Sequence, residues 1–133
     1  MKVRFRYDGA YDPPAPVVPV LVSTPGGGRQ IATTALLDTG ADCTLLPVEI
    51  VRALALPQVD WLRIEAAGGA PLRAPVYAAE LVAGQRRSLA RVVALGSEPL
   101  LGRDWLNRLR VTLDGPALTL SLQAPTGKAR RRR

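Results

Sequence analysis

Asp38 and Asp42 lie in the segment ALLDTGADCTLLP, residues 35–47, where most neighbours are apolar. Two leucines lead into Asp38, and Thr39 and Gly40 follow it. A carboxylate among residues that ask to be buried needs a reason, because an isolated buried anion is costly. One reading is a turn aspartate that caps the next backbone amides. The other is a group held in a dry pocket for acid–base work. The remaining composition narrows the chemistry. The chain has no histidine and one cysteine, Cys43. That excludes Ser-His and Cys-His nucleophilic catalysis, His-containing zinc sites and thiolate metal clusters. No Gly-rich loop with a following Lys-Ser or Lys-Thr occurs, which excludes a P-loop. Hydrolytic chemistry is left with carboxylate, lysine or tyrosine groups. Cys43 is read as a small buried apolar residue.

The elements that must position these carboxylates are short. Residues 1–7 alternate basic and apolar, a strand signal. Residues 8–16 read as a loop. VVPVLV, Val17 to Val22, is a strand with Pro19 at an edge or bulge, and residues 29–37 return after the turn TPGGG to deliver the chain to Asp38. Cys43 to Leu46 forms a short apolar strand. Residues 47–54 form a short helix with Pro47 in its first turn. Segments 61–65 and 72–82 make a second hairpin whose tip, AAGGAP, carries Gly68 and Gly69; the glycines give that tip wide backbone freedom. Residues 88–95 are another strand. LLGRDWLNRL, residues 100–109, reads as a strand end, a glycine and a helix, and residues 111–122 as a last hairpin turning at Asp114-Gly115-Pro116. Trp61 and Trp105 are read as packing residues of the core or the hairpin base. Many short strands with one or two short helices imply an all-β barrel or sandwich.

The bulk numbers agree with one domain. A chain of 133 residues with 47% hydrophobic content supports a single core. Twelve prolines and twelve glycines punctuate short segments. The formal charge of +7 is concentrated at one end: Lys128 and Arg130 to Arg133 follow the last apolar segment, and the body is near neutral. We expect a folded domain over residues 1–124 and a disordered basic tail over 125–133. The tail could engage nucleic acid or an anionic membrane, but it has no interleaved aromatic to stack on bases, and a solvated end is the favoured reading. Nothing at the N-terminus reads as a signal peptide, and no run is long enough to span a membrane. A lone thiol gives no sign of an oxidising compartment, so the cytoplasm is the expected location.

LLDTGA resembles the active-site loop of aspartic peptidases, and the chain length points to the single-domain, retropepsin-like branch. The second signature of that family, an apolar pair, a glycine and a short helix, is matched by Leu100-Leu101-Gly102 and Arg103-Asp104-Trp105-Leu106. The Gly68-Gly69 hairpin sits where the family carries its flap. The resemblance covers roughly residues 17–122 and implies a retropepsin-like closed β-barrel. It also implies the chemistry: two aspartates share one proton, because like charges about 3 Å apart cannot both ionise. Asp38 is then catalytic, Thr39 and Gly40 support its loop, and Ala41, Asp42, Gly68 and Gly69 contact the substrate. In retroviral relatives the aspartate matching Asp42 pairs with the arginine matching Arg103, so an Asp42–Arg103 ion pair is expected, with or without a role in substrate binding.

This sequence carries one Asp-Thr-Gly loop. The other Asp-Gly pairs, Asp8-Gly9 and Asp114-Gly115, lack the intervening Thr or Ser. The second carboxylate must come from Asp38 of another copy, in a C2 homodimer with its site on the axis. The expected activity is that of a cofactor-free aspartic endopeptidase acting on a peptide or protein substrate. The alternative is a non-proteolytic dimerisation or peptide-binding scaffold of the same fold, with an anion-binding basic tail.

Overall fold

A computed structural model of the chain describes residues 1–65 and 68–125. The basic tail from residue 126 onward, and Ala66 and Ala67 at the hairpin tip, lie outside the described residues. The elements in chain order are β1 (Lys2–Arg6), β2 (Val17–Ser23), β3 (Gln30–Leu37), β4 (Thr44–Leu46), α1 (Val48–Leu54), β5 (Gln58–Ile64), β6 (Leu72–Ala83), β7 (Arg86–Ala94), β8 (Leu100–Leu101), α2 (Arg103–Leu106), β9 (Arg110–Asp114) and β10 (Thr119–Gln123). The α1 helix begins one residue later than expected, with Pro47 as its N-cap in extended conformation. Among the described residues no helix is long and apolar enough to cross a membrane.

Strands β2, β3, β8, β4, β7 and β6 follow one another in a sheet that closes on itself, because Leu21–Ser23 of β2 also pair with Glu80–Val82 of β6. The result is an all-β barrel of six strands. Closure satisfies the backbone polar groups that an open sheet would leave at its edges. Two prolines respect that arithmetic. Pro19 lies on the part of β2 that pairs only with β3, and Pro75 lies on the part of β6 that pairs only with β5. Each missing N–H falls where one edge of the strand is unpaired.

The barrel interior is filled by alternating residues. Val18, Val20 and Val22 point inward from β2, and Ala79, Leu81 and Ala83 from β6. Leu46, Val92, Leu101, Trp105 and Leu106 complete the side nearest the Asp38 turn. A second apolar cluster, Ala74, Val76 and Val93, is joined by Cys43, Leu45, Ile64 and Leu95 beneath the β5–β6 hairpin. Outside the barrel, β1 pairs with β10 and β10 with β9. Leu120 and Leu122 of this three-stranded sheet face the core, while Lys2, Arg4 and Arg6 are exposed.

Candidate active site

The Asp38 turn is built by threading. The short strand β8 lies between β3, to which it runs parallel, and β4, to which it runs antiparallel. It is inserted between the two strands that flank the turn. Apolar residues dictate this: Leu101 is fully buried in the core and carries β8 with it. Backbone hydrogen bonds then fix the turn to the inserted strand. Asp38 N–H donates to Leu101 C=O at 3.0 Å, and Arg103 N–H donates to Ala41 C=O at 2.8 Å.

Within the turn, Gly40 N–H donates to Asp38 Oδ1 at 2.8 Å, and Ala41 N–H donates to Asp38 C=O at 3.2 Å. The carboxylate is therefore half-buried and oriented by its own loop, as expected of a turn aspartate. Gly40 leaves room for it: a Cβ there would stand 3.1 Å from Asp38 Oδ1. Thr39, Gly40 and Asp42 are exposed.

Gly102 lets the two loops approach. A Cβ at Gly102 would stand 2.6 Å from the Cys43 carbonyl carbon and press on the carbonyl oxygen as well. Next to it, Asp104 forms a lock that the sequence reading missed. Its Oδ2 accepts from Thr44 N–H at 3.1 Å and its Oδ1 from the Thr44 hydroxyl at 2.8 Å. The same hydroxyl oxygen accepts from Gly102 N–H at 3.3 Å. A threonine set between Cys43 and the apolar pair Leu45-Leu46 was the available signal, since a buried hydroxyl requires partners.

The expected Asp42–Arg103 ion pair is not formed in the single chain. Among the described residues no ion pair joins them. The Arg103 guanidinium instead donates to Thr39 C=O at 2.6 Å. The geometry of the turn gives the reason: the Thr39 carbonyl has no backbone partner in the tight loop and lies within reach of Arg103 on α2, while Asp42 is exposed.

Asp42 and Arg103 nevertheless share a cavity of about 350 Å³, with Gly40 and Ala41 on its floor. Leu62, Arg63, Ile64 and Glu65 of the hairpin arm form the opposite wall, and Leu45 and Leu95 its apolar base. Arg63 and Glu65 form an exposed pair and were not singled out from the sequence, although WLRIE alternates visibly. Gly68 is not brought into this cavity. It has φ +74 and open space around it, and Gly69 is likewise exposed. The two tryptophans divide: Trp105 is core, whereas Trp61 is half exposed with Arg73 stacked 4.7 Å from its ring centroid. Cys43 is half-buried beside Asp42 and Asp104; burial, then those carboxylates, push its thiol up to about 11.

No protein-family model and no curated protein matches the chain. Solved structures do match. A retropepsin-like aspartic protease from Rickettsia conorii aligns with 92% of this chain and 89% of its own, at TM-score 0.68 and 18% identity. EIAV protease, in an inhibitor complex, aligns with 70% of this chain and 86% of its own, at TM-score 0.53 and 24% identity. At these identities the likeness establishes the fold, which is retropepsin-like and all-β.

Proposed function

With the retropepsin-like fold as premise, we propose that the chain is an aspartic endopeptidase, active as a homodimer in which each subunit contributes Asp38. The observation that carries this reading is the Asp38 turn, in which the half-buried carboxylate accepts from Gly40 N–H, the Asp38 backbone is fixed to Leu101 C=O, and Gly40 and Ala41 line an open cavity. That the structural neighbours are aspartic proteases supports it.

In the dimer the two Asp38 carboxylates share one proton. The ionised one takes a proton from a water as its oxygen attacks the scissile carbonyl. The protonated one donates to the carbonyl oxygen, giving a neutral tetrahedral diol. Collapse of the diol breaks the C–N bond while a proton passes to the leaving nitrogen. Bonds and protons balance with water as the sole co-reactant. The exposed Thr39 side chain is available to the partner's loop, and Gly40 allows a substrate backbone to lie close. The substrate is an extended peptide, added as a strand between the floor and the β5–β6 hairpin, with alternate side chains read by the cavity walls. Gly68 and Gly69 close over it as the tip of a flap. Cytoplasmic location remains part of the proposal.

The test is cleavage of a diverse peptide pool by wild type and Asp38→Asn at several enzyme concentrations. Wild-type activity should rise faster than linearly with enzyme, and Asp38→Asn should lose it without loss of fold. A folded wild-type dimer that cleaves nothing at any pH would leave the scaffold reading in its place.

A further inference from the structure

The reverse side of α2 holds a second cavity, of about 230 Å³, that the peptidase reading does not use. Its walls include Arg86, Ser88 and Arg91 of β7, with Asp104, Trp105 and Arg108 from α2 and the turn after it. Three guanidiniums and one carboxylate meet there. The carboxylate, Asp104, is already committed to Thr44 through both oxygens. Arg91 is paired with Asp60 on β5. Among the described residues, Arg86 and Arg108 have no carboxylate within ion-pairing distance.

Two N–H groups of these lining residues, one of them on the Arg86 guanidinium itself, lack acceptors. Arg86 Nε and Trp105 Nε1 are buried without a hydrogen-bond partner. Buried donors are rarely left so. The Arg86 guanidinium lies over the Trp105 ring, 5.4 Å from its centroid, which holds it at the cavity in place of an anionic partner. Two guanidiniums without a carboxylate partner, one of them carrying an orphan Nε–H, and the orphan indole N–H of Trp105 leave a surplus of donors in one recess, where the Ser88 hydroxyl already donates to Leu89 C=O.

We propose that this recess binds a phosphate-type anion, either inorganic phosphate or the phosphate group of a small monoester. The two unpaired guanidiniums outnumber the one unpaired carboxylate on the wall, Asp104, whose oxygens are turned to Thr44, so the recess keeps a net positive charge. The forked donors of arginine suit the oxygens of a tetrahedral anion better than a lysine would. The recess has room for a phosphate with a small substituent. A small shift of Arg86 on binding frees Nε to donate, and brings the Trp105 edge into contact with a polar partner. The site does not depend on the peptidase reading, since it uses none of the residues given a catalytic role.

The experiment uses the full chain carrying Trp61→Phe, so that Trp105 is the sole indole, because the chain has two tryptophans. Inorganic phosphate and glycerol phosphate are titrated at constant ionic strength against chloride, reading Trp105 fluorescence and heat. We expect a saturable response to phosphate and none to chloride. Arg86→Gln and Arg108→Gln should each weaken binding by about tenfold or more, the loss expected for one charged hydrogen bond. Arg108 is exposed, so its variant keeps the test valid should Arg86→Gln disturb packing on Trp105. Stronger binding of glycerol phosphate than of phosphate would assign the site to a monoester, and the reverse to the free ion. A response to phosphate that does not saturate, that chloride reproduces, or that survives Arg108→Gln unchanged would overturn the proposal.

Discussion

The Asp38 turn and the β5–β6 hairpin line the same cavity, yet they are held in different ways. The turn is tied from several directions: Asp38 to Leu101, Ala41 to Arg103, Thr44 to Asp104 and to Gly102, with Gly102 against the Cys43 carbonyl. The hairpin arm β5 pairs on one side only, with β6, and its residues from Gln58 to Arg63 are exposed. Stability is unevenly distributed in folded chains, and segments with few buried contacts open first. The floor is thus the more firmly held of the two and the opposite wall the more loosely held, a division that suits the proposed peptidase chemistry. Exposure of Trp61 and Leu62 fits that division, since neither side chain anchors the wall in the core.

The largest effect that would break this contrast is at Gly102. Gly102→Ala should cost about 3 kcal/mol, because its new methyl meets the Cys43 backbone rather than a side chain that could turn away. Denaturant unfolding measures it, and a cost near zero would mean that the floor is as yielding as the hairpin. Next is Asp104→Ala, which removes two acceptors from the buried Thr44. The expected loss is about 2 kcal/mol. A double-mutant cycle with Thr44→Ala should recover most of it as coupling; independent, additive losses would show that the lock is not a unit. At the hairpin, Gly68→Ala meets no atom within 4 Å and pays only for its positive φ. That cost is about 1 kcal/mol. A loss as large as that at Gly102 would show that the tip is packed after all.

The same contrast explains what could be read from the chain itself. Short apolar runs bounded by Gly and Pro placed most strands, as in VVPVLV of β2, while alternation marked residues 1–7. The Asp-Thr-Gly turn and the Leu-Leu-Gly element were legible as local motifs. Partners set by non-local threading were not. Asp104 meets Thr44 only because β8 is inserted beside β4, and β1 meets β10 only because the ends of the chain converge. Arg103 reads as a partner for Asp42, but its target is decided by the direction of the Thr39 carbonyl, which no residue type reveals. The roles of Asp38, Asp42, Gly68 and Gly69 rest on the proposal and its cleavage test.

The smallest effect is the most local. Cys43 belongs to the floor and lines the cavity, so its thiol senses both regions. Its pKa is raised from 9.0 to about 11, first by burial and then by the nearby Asp42 and Asp104 carboxylates. A group with a raised folded pKa contributes stability that is complete below its unfolded value and is lost as pH climbs through the folded one. Stability should therefore be insensitive to this thiol up to about pH 9, then decline toward about pH 11. The Cys43→Ser variant, compared with wild type by thermal unfolding in that window, isolates the contribution. Alkylation offers the kinetic counterpart, since the thiolate is the nucleophile. Reaction with iodoacetamide near pH 8 should be much slower than for an exposed thiol and should accelerate as pH approaches 11. Opening the hairpin would not change this if burial by the floor dominates. A peptide bound in the cavity should slow alkylation further, whereas fast alkylation near neutral pH would mean that the floor around Cys43 opens as readily as the hairpin above it.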